Sequence, residues 1–553
     1  MPAQPIDPLE GPKTALSGRV VTMDAARRVF PDGVVYLEKG AIVAVTDRAA
    51  PAPDGFADVK MINTGGTIYP GLIELHNHLS YNALPMWSVP KRYTNRNQWA
   101  GIPEYRKLIS GPMQVLGKTA GLLPAVVRYV ESKCLLGGVT TSQGIELFSN
   151  AGSRRYYRGI VRNVEQTDQA DLPEAATKIA DVDASDIDSF YHRLLRQSCF
   201  LLHLSEGRDS AAREHFLALR KPDNTWAITD ALAGIHCAGL QSEDFSVLGE
   251  HEGAMIWSPL SNLLLYGETA EVSAAKSAGI TMGLGSDWAP SGSKNLFGEL
   301  KVARIMSQHL NGLFSDREIV EMATVNAASI LKWENVIGSL KEGMRADLLV
   351  TAGASGDPYE ALLKSSENDI QLVVINGIAR YGTPDLMGKC GATGESVNVG
   401  GTARQVFLDQ KTGDPAVGKI SLGDARATLE DALSRLPDLA RELEKPTAPS
   451  AAPLGLTAHR ETVGWSLVLD EIEETGVEMR PRLPFLSHVH TGPDRVPLEM
   501  QTLHAAGATP LSAMLQPIKL DPLTVADDVN FLPTLLSQKN LPGFIVEGLK
   551  LAY

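Results

Sequence analysis

Two histidines one residue apart, His76 and His78, end the apolar run GLIEL at residues 71–75. Alternate residues of a strand share a face, so both imidazoles can aim at one metal ion from a strand end. A second such pair, His488 and His490 in PFLSHVHTGPDR, follows a proline-rich segment instead of a strand and reads as a pair without a ligand role. Three more apolar runs end in residues of the same kind. FLLHLSEG carries His203, with Glu206 three residues later; LAGIHCAGL carries His236; ITMGLGSDWAPSG carries Asp287. A lone histidine after an apolar run is usually a hydrogen-bonded core residue. The ordered set across successive runs is much less easily reached by chance. Three imidazoles and a carboxylate suit Zn²⁺ or Fe²⁺, with a position left for water.

Those runs must be brought together by a scaffold. Residues 17–66 read as short strands (RVVTM, GVVYLE, AIVAVTD), with a hairpin turning at Lys39–Gly40. From 67 to 340 short apolar runs alternate with longer helical stretches, which predicts a parallel sheet. So many alternations in one stretch predict an α/β fold, a (β/α)8 TIM-like barrel, whose active sites lie at the C-terminal strand ends. Residues 341–400 return to strands, with an Asn376–Gly377 turn between alternating runs. Paired with 17–66 they predict a small composite β-sandwich flanking the barrel. The remainder, 401–553, is a C-terminal extension of mixed, partly helical character with no role assigned. It contains an amphipathic helix with one proline break at 425–445 and a linker-like stretch at 446–458.

The chain has 553 residues, a net charge of −14, 44% hydrophobic and 21% charged residues. That balance excludes a disordered or fibrous chain. An acidic chain without a basic patch argues against nucleic-acid binding. Cys134, Cys199, Cys237 and Cys390 show no CxxC spacing, against a disulfide scaffold or thiolate zinc site. No run nears 18 apolar residues, and the N-terminal segment lacks the basic and apolar regions of a signal peptide, so a cytoplasmic protein is expected.

The sequence resembles the amidohydrolase superfamily, most closely the mononuclear branch of imidazolonepropionase-like enzymes and triazine-chlorohydrolase-like deaminases. The carrying segments include GGTIYPGLIELHNH (65–78), HLSEG (203–207), GIHCAGL (234–240), SPLSNLLLYG (258–267) and GLGSDWAPSGSKNLFGELKVA (283–303), within roughly 17–380. The resemblance implies one divalent ion held by His76, His78, His203 and Asp287, with Glu206 and His236 at the family's two further catalytic positions. Asp287 would also accept a proton from water, Glu206 would carry a proton to the leaving nitrogen, and His236 would stabilise the oxyanion or fix the water. RGIVRNV (158–164), taken as the fourth strand, has no lysine to bridge two metals, which favours a single ion. The expected reaction is hydrolysis of a carbon–nitrogen bond in an amide, cyclic amide or N-acyl compound. The alternatives are hydrolytic deamination of an amino-heterocycle and a catalytically silent scaffold barrel. Homo-oligomers are expected by family analogy.

Segment 79–110, directly after the HxH strand, holds Tyr81, Trp87, Tyr93, Trp99 and Tyr105, and its bases outnumber its one acid, Glu104. It reads as a pocket wall for an aromatic or anionic small molecule or, equally, as a packed surface loop or subunit interface. Tyr81, Trp87, Trp99, Trp288 and Ser291 are the substrate candidates, and Asn262 is expected to shape the seventh loop. Ser293 and Lys294 also sit where a substrate can touch them.

Overall fold

The structure is a computed structural model that describes residues 9–150, 152–179, 182, 186–410, 413–445, 464–469 and 509–553. The His488/His490 pair and the 446–458 stretch lie outside the described residues. Among those described, no helix is long and apolar enough to cross a membrane.

The expected alternation of strands and helices is present. Leu72–Glu74, Val139–Ser142 and Arg162–Asn163 form one parallel sheet. Ala175–Lys178, Cys199–Leu204, Leu232–His236, Ala254–Trp257 and Met282–Leu284 form a second. Backbone hydrogen bonds link the two sheets at both edges. Ala175 N donates to Val164 O at 2.8 Å on one side. On the other, Leu75 N donates to Leu284 O at 3.2 Å and Asp287 N to His76 O at 2.9 Å.

The period of two along these strands sorts their side chains. Ile73, Leu75, Leu201, Ala233, Ile235 and Ile256 share one buried cluster. The alternate residues Leu72, Phe200, Leu202, Leu232 and Met255 pack into the larger cluster that includes the helices.

That sorting corrects the strand order expected from sequence. RGIVRNV contributes only the two-residue strand Arg162–Asn163, which comes third, and the fourth is Ala175–Lys178. A two-residue strand bounded by irregular chain has no periodicity of its own, so counting apolar runs misplaces it. The fourth strand does end in a lysine. Lys178, however, pairs in register with Leu202, one residue before His203, and therefore belongs to the opposite face. The single-ion reading thus rests on register instead of on a missing lysine.

The flanking segments join in one nine-stranded sheet. Strands from Thr14–Val21 to Met61–Pro70 meet those from Leu348–Ala352 onward through the antiparallel pairing of Met61–Pro70 with Leu348–Ala352. Both expected hairpins are present. Lys39 and Gly40 (φ 50° and 76°) turn one, and Asn376 and Gly377 (φ 49° and 74°) turn the other. Two successive positive φ values match the right-handed twist of paired strands, which is why Asn-Gly is favoured there. Arg162 ties this sheet to the parallel strands: it pairs with Asp347, and its Nη2 donates to Asn376 Oδ1 at 2.8 Å.

The C-terminal extension is built onto the strand-and-helix body. The expected amphipathic helix is two helices, Leu422–Ser434 and Leu436–Leu443, broken where Pro437 enters the first turn of the second. The former packs on helix Leu123–Leu136. Farther on, Asp521 is buried between two lysines: Lys133 Nζ at 2.5 Å and Lys294 Nζ at 2.7 Å, and Lys294 also reaches Asp528 at 2.8 Å. Lys294 therefore faces the extension, and the extension holds the loop it stands on. Gln538 Nε2 donates to Trp87 O at 3.0 Å, and Asn540 Nδ2 to Lys91 O at 3.0 Å and Leu264 O at 2.7 Å.

Candidate active site

His76, His78, His203, Glu206, His236 and Asp287 all stand at or just beyond C-terminal ends of the parallel strands. Three Nε2 atoms converge: His76 to His203 at 3.1 Å, and His78 at 3.3 Å from each of the other two. Asp287 Oδ1 lies 3.4 Å from both His76 and His78 Nε2. Donors about 2.0–2.1 Å from a tetrahedral ion are separated by about 3.3–3.4 Å, so this set has the dimensions of a zinc-type site. His76, His203 and His236 also lie close enough to hold an ion together.

The chemistry of the donors fits as well. Burial, and then the neighbouring imidazoles, hold His76 and His203 well below the usual histidine range, so both are neutral with lone pairs to offer. His76 Nδ1 is 2.7 Å from Ser258 Oγ; donating there leaves the Nε2 lone pair available to a metal ion. Burial pushes the Asp287 carboxyl up, although His78 and His236 pull the other way, and Ser261 Oγ donates to its Oδ2 at 2.5 Å.

Local backbone is strained to aim these groups. Asp287 and His236 have φ of 66° and 68°, and Ser205 and Cys237 also lie in the left-handed region. Such non-glycine residues cost about 1–3 kcal/mol each and persist where a side chain must point one way. Gly285 is required for a different reason: a Cβ there would lie 2.4–2.6 Å from His76 atoms, including its backbone. Only glycine lets the last strand approach the first so closely.

Glu206 is buried beside the donors. His236 Nε2 is 3.7 Å away, Arg96 Nη1 3.9 Å, and Tyr266 OH donates to Oε1 at 2.8 Å. Burial alone would raise its pKa; His236, Arg96 and the Tyr266 hydrogen bond outweigh that and hold it below the usual carboxylate range. Asn262 Nδ2 stands 3.4 Å from His236 Nδ1.

The substrate candidates form one aromatic cluster. Trp288 contacts His78, Tyr81, Trp99 and Tyr105 with ring centroids 5.2–6.2 Å apart, and Trp87 joins through Tyr105 at 5.6 Å. All are buried. The hydroxyl of Ser291 accepts Trp288 Nε1 at 2.6 Å.

Sequence reasoning missed the partners Ser258, Ser261, Tyr266 and Arg96. The first three lie within SPLSNLLLYG, which carries part of the family resemblance without saying which atom each hydroxyl would meet. It also missed Glu299, buried against the same helix, Pro259–Tyr266, where it accepts Leu260 N at 2.9 Å and the Ser293 hydroxyl. Burial pushes its carboxyl up to about 8. A raised carboxyl pKa means the folded chain keeps a proton that the unfolded chain releases. Its stability contribution is therefore complete at low pH and is lost as pH rises from 4.5 through about 8. Across that window the melting temperature of Glu299→Gln is expected to gain steadily on the parent; a constant difference between the two would contradict this.

The His/Asp donor cluster has the ligand types and spacing of a metal site at the ends of parallel strands. Residues 208–379 match the profile of the amidohydrolase family. The matched segment contains His236 and Asp287 and begins after the other four site residues. The chain is similar to a 5-methylthioadenosine/S-adenosylhomocysteine deaminase of Symbiobacterium thermophilum, 25% identical over 386 residues that cover 60% of this chain and 83% of that protein. It is also similar to an S-triazine hydrolase of Gordonia rubripertincta, 26% identical over 33% of this chain and 40% of that one. Its fold is that of a zinc-bound adenosine deaminase structure from Xanthomonas campestris, with TM-score 0.51 and 16% identity, covering 78% of this chain and 99% of the other.

Proposed function

We propose that this chain hydrolyses a carbon–nitrogen bond, other than a peptide bond, in a small molecule, with one divalent ion, zinc, held by His76, His78, His203 and Asp287. The observation that carries the reading is the set of ring nitrogens and carboxylate oxygen spaced 3.1–3.4 Å apart. When bound, the cation supplies Lewis acidity, making water acidic enough to act as a nucleophile near neutral pH. Asp287, its carboxyl raised by burial, accepts a proton. Glu206 starts ionised, takes up a proton and delivers it to the leaving nitrogen. His236 fixes the attacking water or, on an amide substrate, donates to the carbonyl oxygen as it gains charge.

The relatives move the preference from amide cleavage to deamination of an amino-heterocycle, because deaminases of adenosine derivatives and a triazine hydrolase are among them. The aromatic wall of Tyr81, Trp99 and Trp288 beside His78 suits a flat ring. On the same reading the eight strands form a (β/α)8 barrel over 67–340, a closure that the hydrogen bonds at both sheet edges support, flanked by a composite sandwich from 17–66 and 341–400. Gln538 and Asn540 of the C-terminal extension brace the segment that carries the aromatic wall. Metal analysis combined with a panel of aminopurine nucleosides, amino-triazines and amides tests the function. Stoichiometric metal and ammonium release from an amino-heterocycle are expected. Amine and carboxylate from an amide, with no ammonium from any heterocycle, would overturn the deaminase reading.

A further inference from the structure

Glu206 is oriented by a hydrogen-bond chain of fixed direction. The indole Nε1 of Trp99 can only donate, and it donates to Tyr266 Oη at 3.0 Å. The Tyr266 hydroxyl, its acceptor side engaged, gives its one hydrogen to Glu206 Oε1 at 2.8 Å. The other carboxylate oxygen, Oε2, is left toward His236 Nε2 at 3.7 Å. All three side chains are buried, so water does not compete for these bonds. Tyr266 is the last residue of helix Pro259–Tyr266, and Ser261 on that helix donates to Asp287 Oδ2. One helix thus holds both carboxylates of the site. Trp99 also contacts Trp288 at 6.2 Å, so the aromatic wall and the Glu206 carboxylate form one connected unit.

We propose that Tyr266, itself fixed by Trp99, is a positioning residue that holds the Glu206 carboxylate with Oε2 facing His236. The inference rests on the reading of Glu206 as the proton-carrying group. Tyr266 acts through Glu206 and does not itself exchange a proton with substrate.

The test is Tyr266→Phe, which deletes one oxygen and keeps the ring. The lost bond is to a charged acceptor, so kcat is expected to fall about 10- to 100-fold. KM, metal content and melting temperature should stay near the parent values. The acidic limb of the pH–kcat profile should move to higher pH, because the lost bond favoured the ionised carboxylate. Trp99→Phe should lower kcat in the same direction by less, and the double variant should be no worse than Tyr266→Phe alone. Parent-like kcat and pH profile in Tyr266→Phe, or a loss explained wholly by a lower melting temperature, overturns the proposal. Glu206→Gln is run in parallel. An active Glu206→Gln removes the reading on which the proposal stands, whereas an inactive Glu206→Gln beside an unaffected Tyr266→Phe removes the positioning role alone.

Discussion

Asp287→Ala is expected to abolish turnover and strip the protein of metal. Asp287 Oδ1 stands 3.4 Å from both His76 and His78 Nε2, so its removal takes the one carboxylate out of the proposed ligand set. Loss of an outer partner of a metal ligand costs about 10- to 100-fold in affinity, and loss of the ligand itself should exceed that. The fold should survive. The substitution relieves a buried carboxyl that burial disfavours, and the backbone bonds of residue 287 to His76 and His78 remain. One opposing cost is visible: alanine inherits a φ of 66°, without the tolerance of the left-handed region that aspartate has. Asp287→Asn, which keeps that tolerance and the Ser261 contact, should therefore separate metal loss from backbone strain. Elemental analysis of both variants after dialysis, read against circular dichroism, checks this. Full metal occupancy in Asp287→Ala would remove Asp287 from the ligand set.

Glu206→Gln should give the opposite dissociation, with turnover lost and metal kept. Glu206 belongs to no donor group and is attached instead to Tyr266, His236 and Arg96. Proton transfer by a positioned side chain contributes about 10²- to 10⁴-fold, and glutamine cannot carry the proton. Glutamine keeps the shape and can still accept the Tyr266 hydroxyl, so the melting temperature should be close to the parent. Comparing kcat and bound metal in the same preparation decides the matter; sustained turnover in Glu206→Gln sinks the proton-carrying role. Together the two variants separate holding an ion from moving a proton, which activity measurements alone do not distinguish.

Much of the site was legible in the chain because its chemistry is carried at strand ends. An apolar run followed by histidine or aspartate marks both the strand and the residue beyond it, and His76, His78, His203, His236 and Asp287 each announce themselves in that way. The hairpins at Lys39–Gly40 and Asn376–Gly377 were legible for a similar reason, since positive φ restricts which residues can turn there. The third strand was not, because Arg162–Asn163 is too short to have a period. Whether Lys178 joins the ligands was equally beyond the sequence. The answer depends on register with Leu202, a property of two strands and not of one.

The sequence by itself determined which residues have the chemistry to bind an ion and to move protons, because donor type and strand-end position are local properties. Only the tertiary structure decided the spacing of those donors and their protonation, because both depend on atoms brought from distant parts of the chain. Ser258 turns His76, and Tyr266 turns Glu206. The extension acts at longer range: Asp521 is caught between Lys133 and Lys294, while Gln538 and Asn540 fasten the segment that carries the aromatic wall. Polar and charged residues scattered over about four hundred positions have no periodicity to reveal them, and they gain their roles only where folding removes water from between them.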